Sequence, residues 1–335
     1  MNYMRIIFKK FKARMIVGCI LAVIALLAVS VIVFINQASF GRTPRGERLE
    51  RVMKSPNYRN GEFKNQHETL LMTSDRGRFS GIWEFIFRKI DGLRPEQAVK
   101  AIKTDLRKIG RNEEILVWFG HSSYLIQTGG KRILVDPVFC MASPVSFVNK
   151  PFKGTELYTP DDMPDIDYLV ISHDHWDHLD YNTVKKLKDR IGAVICPLGV
   201  GEHFEYWGFD KERLIELDWN EDANLAPGFM IHCLPARHFS GRRLTANQSL
   251  WASFLLEAPS QKIYIGGDGG YDTHYAEIGN RFPGIDLAIL ENGQYNEEWS
   301  LIHLMPQYMA QTARDLKAKR VLTVHHSKYA LAKHR

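Results

Sequence analysis

The 335-residue sequence predicts an α/β protein with mixed sheets, carried behind one N-terminal transmembrane helix. Three observations lead there. From Met15 to Ile35 run 21 consecutive uncharged residues, and short apolar runs punctuated by Gly, Asp and Pro follow Arg111. The early runs are closely spaced, whereas the later ones alternate with helical stretches. A composition of 45% apolar and 24% charged residues excludes a disordered or fibrous chain, and no solenoid-length repeat is visible.

Residues 1–14 form a basic tail, with Arg5, Lys9, Lys10, Lys12 and Arg14 and no acid. Residues 15–36 form the anchor, because a helix rising about 1.5 Å per residue crosses roughly 30 Å of hydrocarbon with that many residues. The run is longer than the apolar core of a cleaved signal, and Asn36-Gln37-Ala38-Ser39 matches a cleavage site poorly. The five cations before it predict a cytoplasmic N-terminus and an extracytoplasmic large domain, an asymmetry reduced by Arg42, Arg45, Arg48 and Arg51. Residues 37–110 read as a connector with short helices and no chemistry. Within it Arg45–Lys54 is mixed-charge, Trp83, Phe85 and Phe87 form an aromatic group suited to packing, and Pro95–Ile109 has helical spacing closed by Gly110.

Residues 111–335 form the predicted α/β domain. Strand-like runs are Ile115–Phe119, Tyr124–Gln127, Ile133–Val135, Tyr168–Ile171, Ala193–Cys196, Met230–Leu234, Ser253–Leu256, Ile263–Ile265, Leu287–Leu290 and Val321–Val324. Helices are predicted over Asn182–Arg190, weakly at Tyr206–Gly208, and over Pro306–Ala318, where Met309, Ala313 and Leu316 make a stripe. Residues 41–335 carry 39 basic against 38 acidic groups, so the +6 charge belongs mainly to the tail, and nucleic acid is not a predicted partner. Cys19, Cys140, Cys196 and Cys233 contain no C-x-x-C pair and are read as free thiols.

The sharpest feature is Ser172-His173-Asp174-His175-Trp176-Asp177-His178-Leu179-Asp180, directly after a strand-like run. Imidazole nitrogens and carboxylate oxygens are the donors that catalytic Zn²⁺ accepts, and a tight loop at a strand end can aim alternate side chains at one point. Iron and manganese suit similar donors.

This H-x-H-x-D-H loop resembles that of the metallo-β-lactamase superfamily, and the later segments Leu234-Pro-Ala-Arg-His238, Gly266-Gly-Asp268 and Val321-Leu-Thr-Val-His325-His326 follow in the family's order. Trp118-Phe-Gly-His121, Val135-Asp136-Pro137, Asn292-Gly-Gln-Tyr295 and Ile302-His303 look like its N-acyl-phosphatidylethanolamine phospholipase D branch, with the sugar-phosphate lactonases as cousins. The resemblance covers about residues 111–335 and implies an αβ/βα sandwich holding two divalent ions, Zn²⁺ first. His173, His175 and His238 would hold one ion, Asp177, His178 and His325 the other, with Asp268 bridging. A hydroxide between the ions would be the nucleophile, its pKa lowered towards about 7.

Asp177 and His303 are the catalytic candidates, Asp177 also as a ligand and His303 as a phosphate contact or a proton donor to a leaving alkoxide. Asp136 and His121 are read as supports behind the ligands, and His325 is preferred over His326. Glu297-Glu298 stands where the phospholipase branch tends to carry Pro-Arg, and Gly269 where a hydroxyl residue is usual. Relatives generally continue beyond the segment ending at His334-Arg335, so a further C-terminal piece is expected. The implied function is a membrane-anchored binuclear phosphodiesterase acting on a phospholipid or small molecule. A lactonase or β-lactamase-type hydrolase with the same metals, or a non-catalytic envelope binding module, are the alternatives.

Overall fold

The computed structural model describes residues 2–73, 91–145, 147–294 and 296–332. Trp83, Phe85, Phe87, Tyr295 and His334-Arg335 lie outside the described residues. The chain divides into two compact units, Met1–Phe40 and Gly41–Arg335. The first is built on α1 (Asn2–Ile35). Its stretch Lys10–Ile35, whose most apolar 18-residue window has mean hydropathy 3.2, is long and apolar enough to cross a membrane. Apolar residues occur all round it, unlike the single stripe of a helix lying on a soluble core.

The second unit opens with α2 (Gly46–Lys54) and a hairpin of β1 (Tyr58–Arg59) and β2 (Glu62–Phe63). Two six-stranded sheets follow. One holds β3 (Ile115–Trp118), β4 (Tyr124–Thr128), β5 (Lys131–Val135), β6 (Ile166–Val170), β7 (Ile191–Pro197) and β8 (Leu214–Leu217), side by side in that order. The other holds β9 (Asp222–Ala226), β10 (Phe229–Leu234), β11 (Ser253–Glu257), β12 (Lys262–Ile265), β13 (Leu287–Glu291) and β14 (Val321–Val324), again in sequence. Each sheet starts with antiparallel pairs and ends parallel, at β5 to β8 and β12 to β14.

The strands alternate between two buried faces. Ile126, Val135, Val170 and Ile195 meet Ile231, Phe254, Ile263 and Ile289 in the core between the sheets. Their neighbours Leu125, Leu134, Leu169 and Val194 face outward onto α3 (Tyr181–Leu187) and α4 (Gly201–Tyr206) through Val184, Leu187 and Phe204. On the far side Leu255, Tyr264 and Leu290 pack on α5 (His274–Arg281) and α6 (Met309–Asp315) through Ile278 and in a cluster with Leu316. The result is helix, sheet, sheet, helix, the expected αβ/βα sandwich, in which period-two strands bury both faces.

Pro95–Ile109 is not helical. Leu106 is buried while Ile102 is 88% exposed, so no continuous stripe meets a partner, and Val99 N–H instead bonds Lys153 O at 2.8 Å. The helix expected near Tyr206–Gly208 is α4, which ends earlier, and Gly208 at φ 86° takes the left-handed turn that follows. Strands β1, β2, β8 and β9 were not anticipated, being short, polar-studded or at sheet edges. All four cysteines are free.

Candidate metal centre

The rim formed by the carboxyl ends of the parallel strands gathers the polar residues, where loops can project side chains to one point without disturbing the sheets. Asp136 follows β5, the His173–His178 loop follows β6, Asp268 follows β12, and His325 follows β14. His238 stands in the loop after β10, His303 in the loop after β13, and His121 in the turn between β3 and β4. His121 N–H donates to His326 O, and His325 N–H to His121 O, each at 2.9 Å, which ties the tip of one sheet to the end of the other.

Two groups form. In the first, ring nitrogens of His173, His175 and His238 lie within 4.8 Å of one another. His175 Nδ1 is 2.8 Å from His173 Nε2 and 3.2 Å from His238 Nε2. His238 Nδ1 faces only a carbonyl, Ile302 O at 2.7 Å, so it carries the proton and leaves Nε2 with a lone pair aimed into the group. In the second, Asp177, His178 and His325 converge with His121. His178 Nδ1 bonds Asp136 Oδ2 at 2.8 Å, His121 Nε2 meets Asp177 Oδ2 at 2.9 Å, and His325 Nδ1 meets Ser122 Oγ at 2.7 Å. Asp268 reaches both, Oδ2 lying 3.2 Å from His178 Nε2 and 3.9 Å from His238 Nε2, and Oδ1 lying 3.2 Å from His325 Nδ1. His326 is turned away against the Trp118 ring, 4.7 Å between centroids.

This geometry has counterparts. Residues 131–326 match the family described as the Beta-lactamase superfamily domain. An uncharacterized protein of Mycobacterium tuberculosis (strain ATCC 25618 / H37Rv) is 36% identical over 290 residues, 84% of this chain and 77% of that protein. The chain belongs to the metallo-β-lactamase superfamily. It is also 29% identical over 231 residues to the N-acyl-phosphatidylethanolamine-hydrolyzing phospholipase D 1 of Caenorhabditis elegans, 64% of either chain. The solved structure of Igni18, a metallo hydrolase from Ignicoccus hospitalis, superposes with TM-score 0.50 at 20% identity, covering 63% of this chain and 82% of that one, and shows the fold. As a member of this superfamily the chain is a metal-dependent hydrolase.

The side chains present suit cations. Buried His178 Nε2 and Asp268 Oδ1 have no hydrogen-bond partner among the described residues, a costly state for polar atoms unless an ion meets them. Burial and the neighbouring imidazoles push His173 and His238 well below the usual histidine range, and burial takes His175 down to about 4, so the first group presents neutral donors. In the second group burial is outweighed by Asp268, Asp177 and Asp136, which drive His178 well above its usual range. Burial, opposed by His178 and reinforced by Glu291, pushes Asp268 up to about 7. So many carboxylates sharing one dry site call for positive charge.

Several residues around these ligand candidates escaped the sequence reading. Glu291, at the end of β13, accepts from Gly269 N–H at 2.7 Å and Leu304 N–H at 3.1 Å, and meets His303 Nδ1 at 2.7 Å. Its signal was an acid closing an apolar parallel strand. Asp174, inside the motif, accepts from Gly241 N–H at 2.8 Å and Ser249 Oγ at 3.0 Å and faces His203 Nε2 at 3.2 Å. Residues 57–73 also touch this rim, although sequence reasoning found no chemistry in their segment. Arg237 donates to Glu68 O and Thr69 Oγ1, each at 3.0 Å, and Thr73 N–H to Glu298 O at 2.9 Å. Three residues of the rim hold left-handed backbone, His121 at φ 54°, Asp136 at φ 40° and His325 at φ 68°, strain that surrounding bonds must maintain.

Proposed function

We propose that the chain is a binuclear phosphodiesterase of the phospholipase D type, anchored by residues 15–36 with residues 1–14 in the cytoplasm, 37–110 as the connecting segment and 111–335 as the catalytic body beyond the membrane. The convergence of His173, His175, His238, Asp177, His178, Asp268 and His325 from four separate segments carries this reading, together with the likeness to a phospholipid-hydrolysing enzyme over most of the fold. The three-imidazole group would hold one divalent ion and Asp177, His178 and His325 the other, with Asp268 between them and Zn²⁺ the best match to the donors. When bound, such ions lower the pKa of water and stabilise developing oxyanion charge.

The remaining work belongs to the chain. Asp136 fixes the His178 tautomer and, through Ser172 N–H at 2.8 Å, the start of the ligand loop. His121 orients Asp177. Against burial, Glu291 raises His303 to about 9, so its imidazolium is kept at neutral pH. With Nδ1 committed to Glu291, Nε2 is the atom that donates a proton to a leaving alkoxide. A cavity of roughly 580 Å³ borders His238 and is lined by Arg59, Lys64, Glu62, Glu68, Leu70 and Leu71, with Lys64 paired to Glu62, a mixed polar and apolar wall that offers a substrate room beside the ligand candidates. Membrane tethering would confine the site near such substrates.

The test is turnover by the full chain of a bis-aryl phosphodiester and of N-acyl-phosphatidylethanolamine in vesicles, beside a lactone panel, after Zn²⁺ loading. Phosphodiester hydrolysis abolished by chelation is expected. Lactone hydrolysis alone would move the assignment to the ester reading, which the acid pair Glu297-Glu298, supplying no cation for phosphate, favours.

A further inference from the structure

The histidine loop after β6 is held by residues inside the family-matched span, among them Asp136, Gly241 and Ser249, whereas His238 is held by a residue far upstream of that span. The β1–β2 hairpin turns at Asn60 (φ 58°) and Gly61 (φ 82°), the left-handed pair that a tight two-residue hairpin requires. Phe63 then inserts fully into the core between the sheets, and its N–H bonds Asn247 O at 2.9 Å. That anchor delivers Asn65 to the loop after β10. Asn65 Nδ2 donates to His238 O at 2.8 Å, and Asn65 Oδ1 accepts from His238 N–H at 3.1 Å and from Trp251 Nε1 at 3.0 Å.

A primary amide here does what a neighbouring strand would do, pairing with both main-chain groups of one residue. With its ring held by Ile302 O, His238 is fixed at backbone and side chain alike. Ligating groups must sit within about 0.5 Å of their working positions, and a loop residue without a ladder depends on packing and on hydrogen bonds such as these to hold that tolerance. We propose that Asn65 is a positioning residue for the metal centre, setting the main chain of His238 so that Nε2 meets His173 and His175. The inference rests on His238 being a ligand, as proposed above.

The experiment compares Zn²⁺ affinity by chelator competition, and the visible spectrum of the Co²⁺-loaded full chain, in wild type, Asn65→Ala and Asn57→Ala. Asn57 belongs to the same hairpin segment, and its Nδ2 bonds Asp218 Oδ1 at 2.8 Å, away from the ligands. Asn65→Ala is expected to weaken Zn²⁺ binding roughly 10- to 100-fold, as loss of a ligand's support typically does, and to alter the Co²⁺ spectrum. Asn57→Ala should leave both as in wild type. Should Asn65→Ala fail to fold, Asn65→Gln, which keeps the amide but displaces it by one methylene, is read the same way. A lower melting temperature with unchanged affinity and spectrum would overturn the proposal. Wild-type chain that binds no Zn²⁺ would instead overturn the metal-centre reading beneath it.

Discussion

The two halves of the centre are built on opposite principles. His173, His175 and His238 are neutral imidazoles, the first beside the Ser172 hydroxyl and the last held by the Ile302 carbonyl and, at its main chain, by the Asn65 amide, and among the described residues no carboxylate hydrogen-bonds their rings. Around Asp177, His178, Asp268 and His325, charge dominates, and His121, Asp136 and Ser122 each bond one member. One half depends on placement and the other on electrostatics, so damage should reveal itself differently in each.

Asp268 is where the halves meet, and its removal should have the largest effect. Asp268→Ala is expected to reduce phosphodiester turnover on the order of 10³-fold and to lower the metal content of the purified chain from near two ions. Elemental analysis giving an unchanged content would end its role as the link. A smaller effect is expected behind the charged half. Asp136→Asn keeps the shape but removes the charge on His178 Nδ1, and chelator competition should show roughly a 10- to 100-fold loss of affinity, with the three-imidazole group less affected. Equal losses in both halves would erase the distinction drawn between them.

The smallest effect concerns the metal-free chain. Glu291 raises His303 to about 9 in the folded state, above the ordinary value of about 6.5. The pair therefore adds stability that is fully present below about 6.5 and is lost as pH rises through about 9. Thermal melting of chelated protein should show wild type losing more stability than Glu291→Gln across that window. Parallel curves for the two proteins would mean that the pair does not titrate there.

What the sequence disclosed and what it concealed divide along the same line. The loop from His173 to His178 is dense and local and stood out by residue type and spacing, whereas His238, Asp268 and His325 were assigned through the order of ligands in the resembled superfamily. Glu291 and Asn65 are single polar residues whose partners lie 12 and 173 positions away, and no local pattern distinguishes them from solvated ones. Asn60-Gly61 was the one available clue to the hairpin. Pro95–Ile109 erred the other way, showing a helical stripe that only tertiary packing could confirm or cancel.

The hairpin that carries Asn65 has a practical corollary for anyone trimming this protein. A fragment cut to the recognisable span, residues 131–326, would begin after His121 and Ser122 and would leave behind the amide that brackets His238. It would still look complete by kinship while missing supports to both halves of its chemistry, so a truncation scan should stop upstream of residue 57.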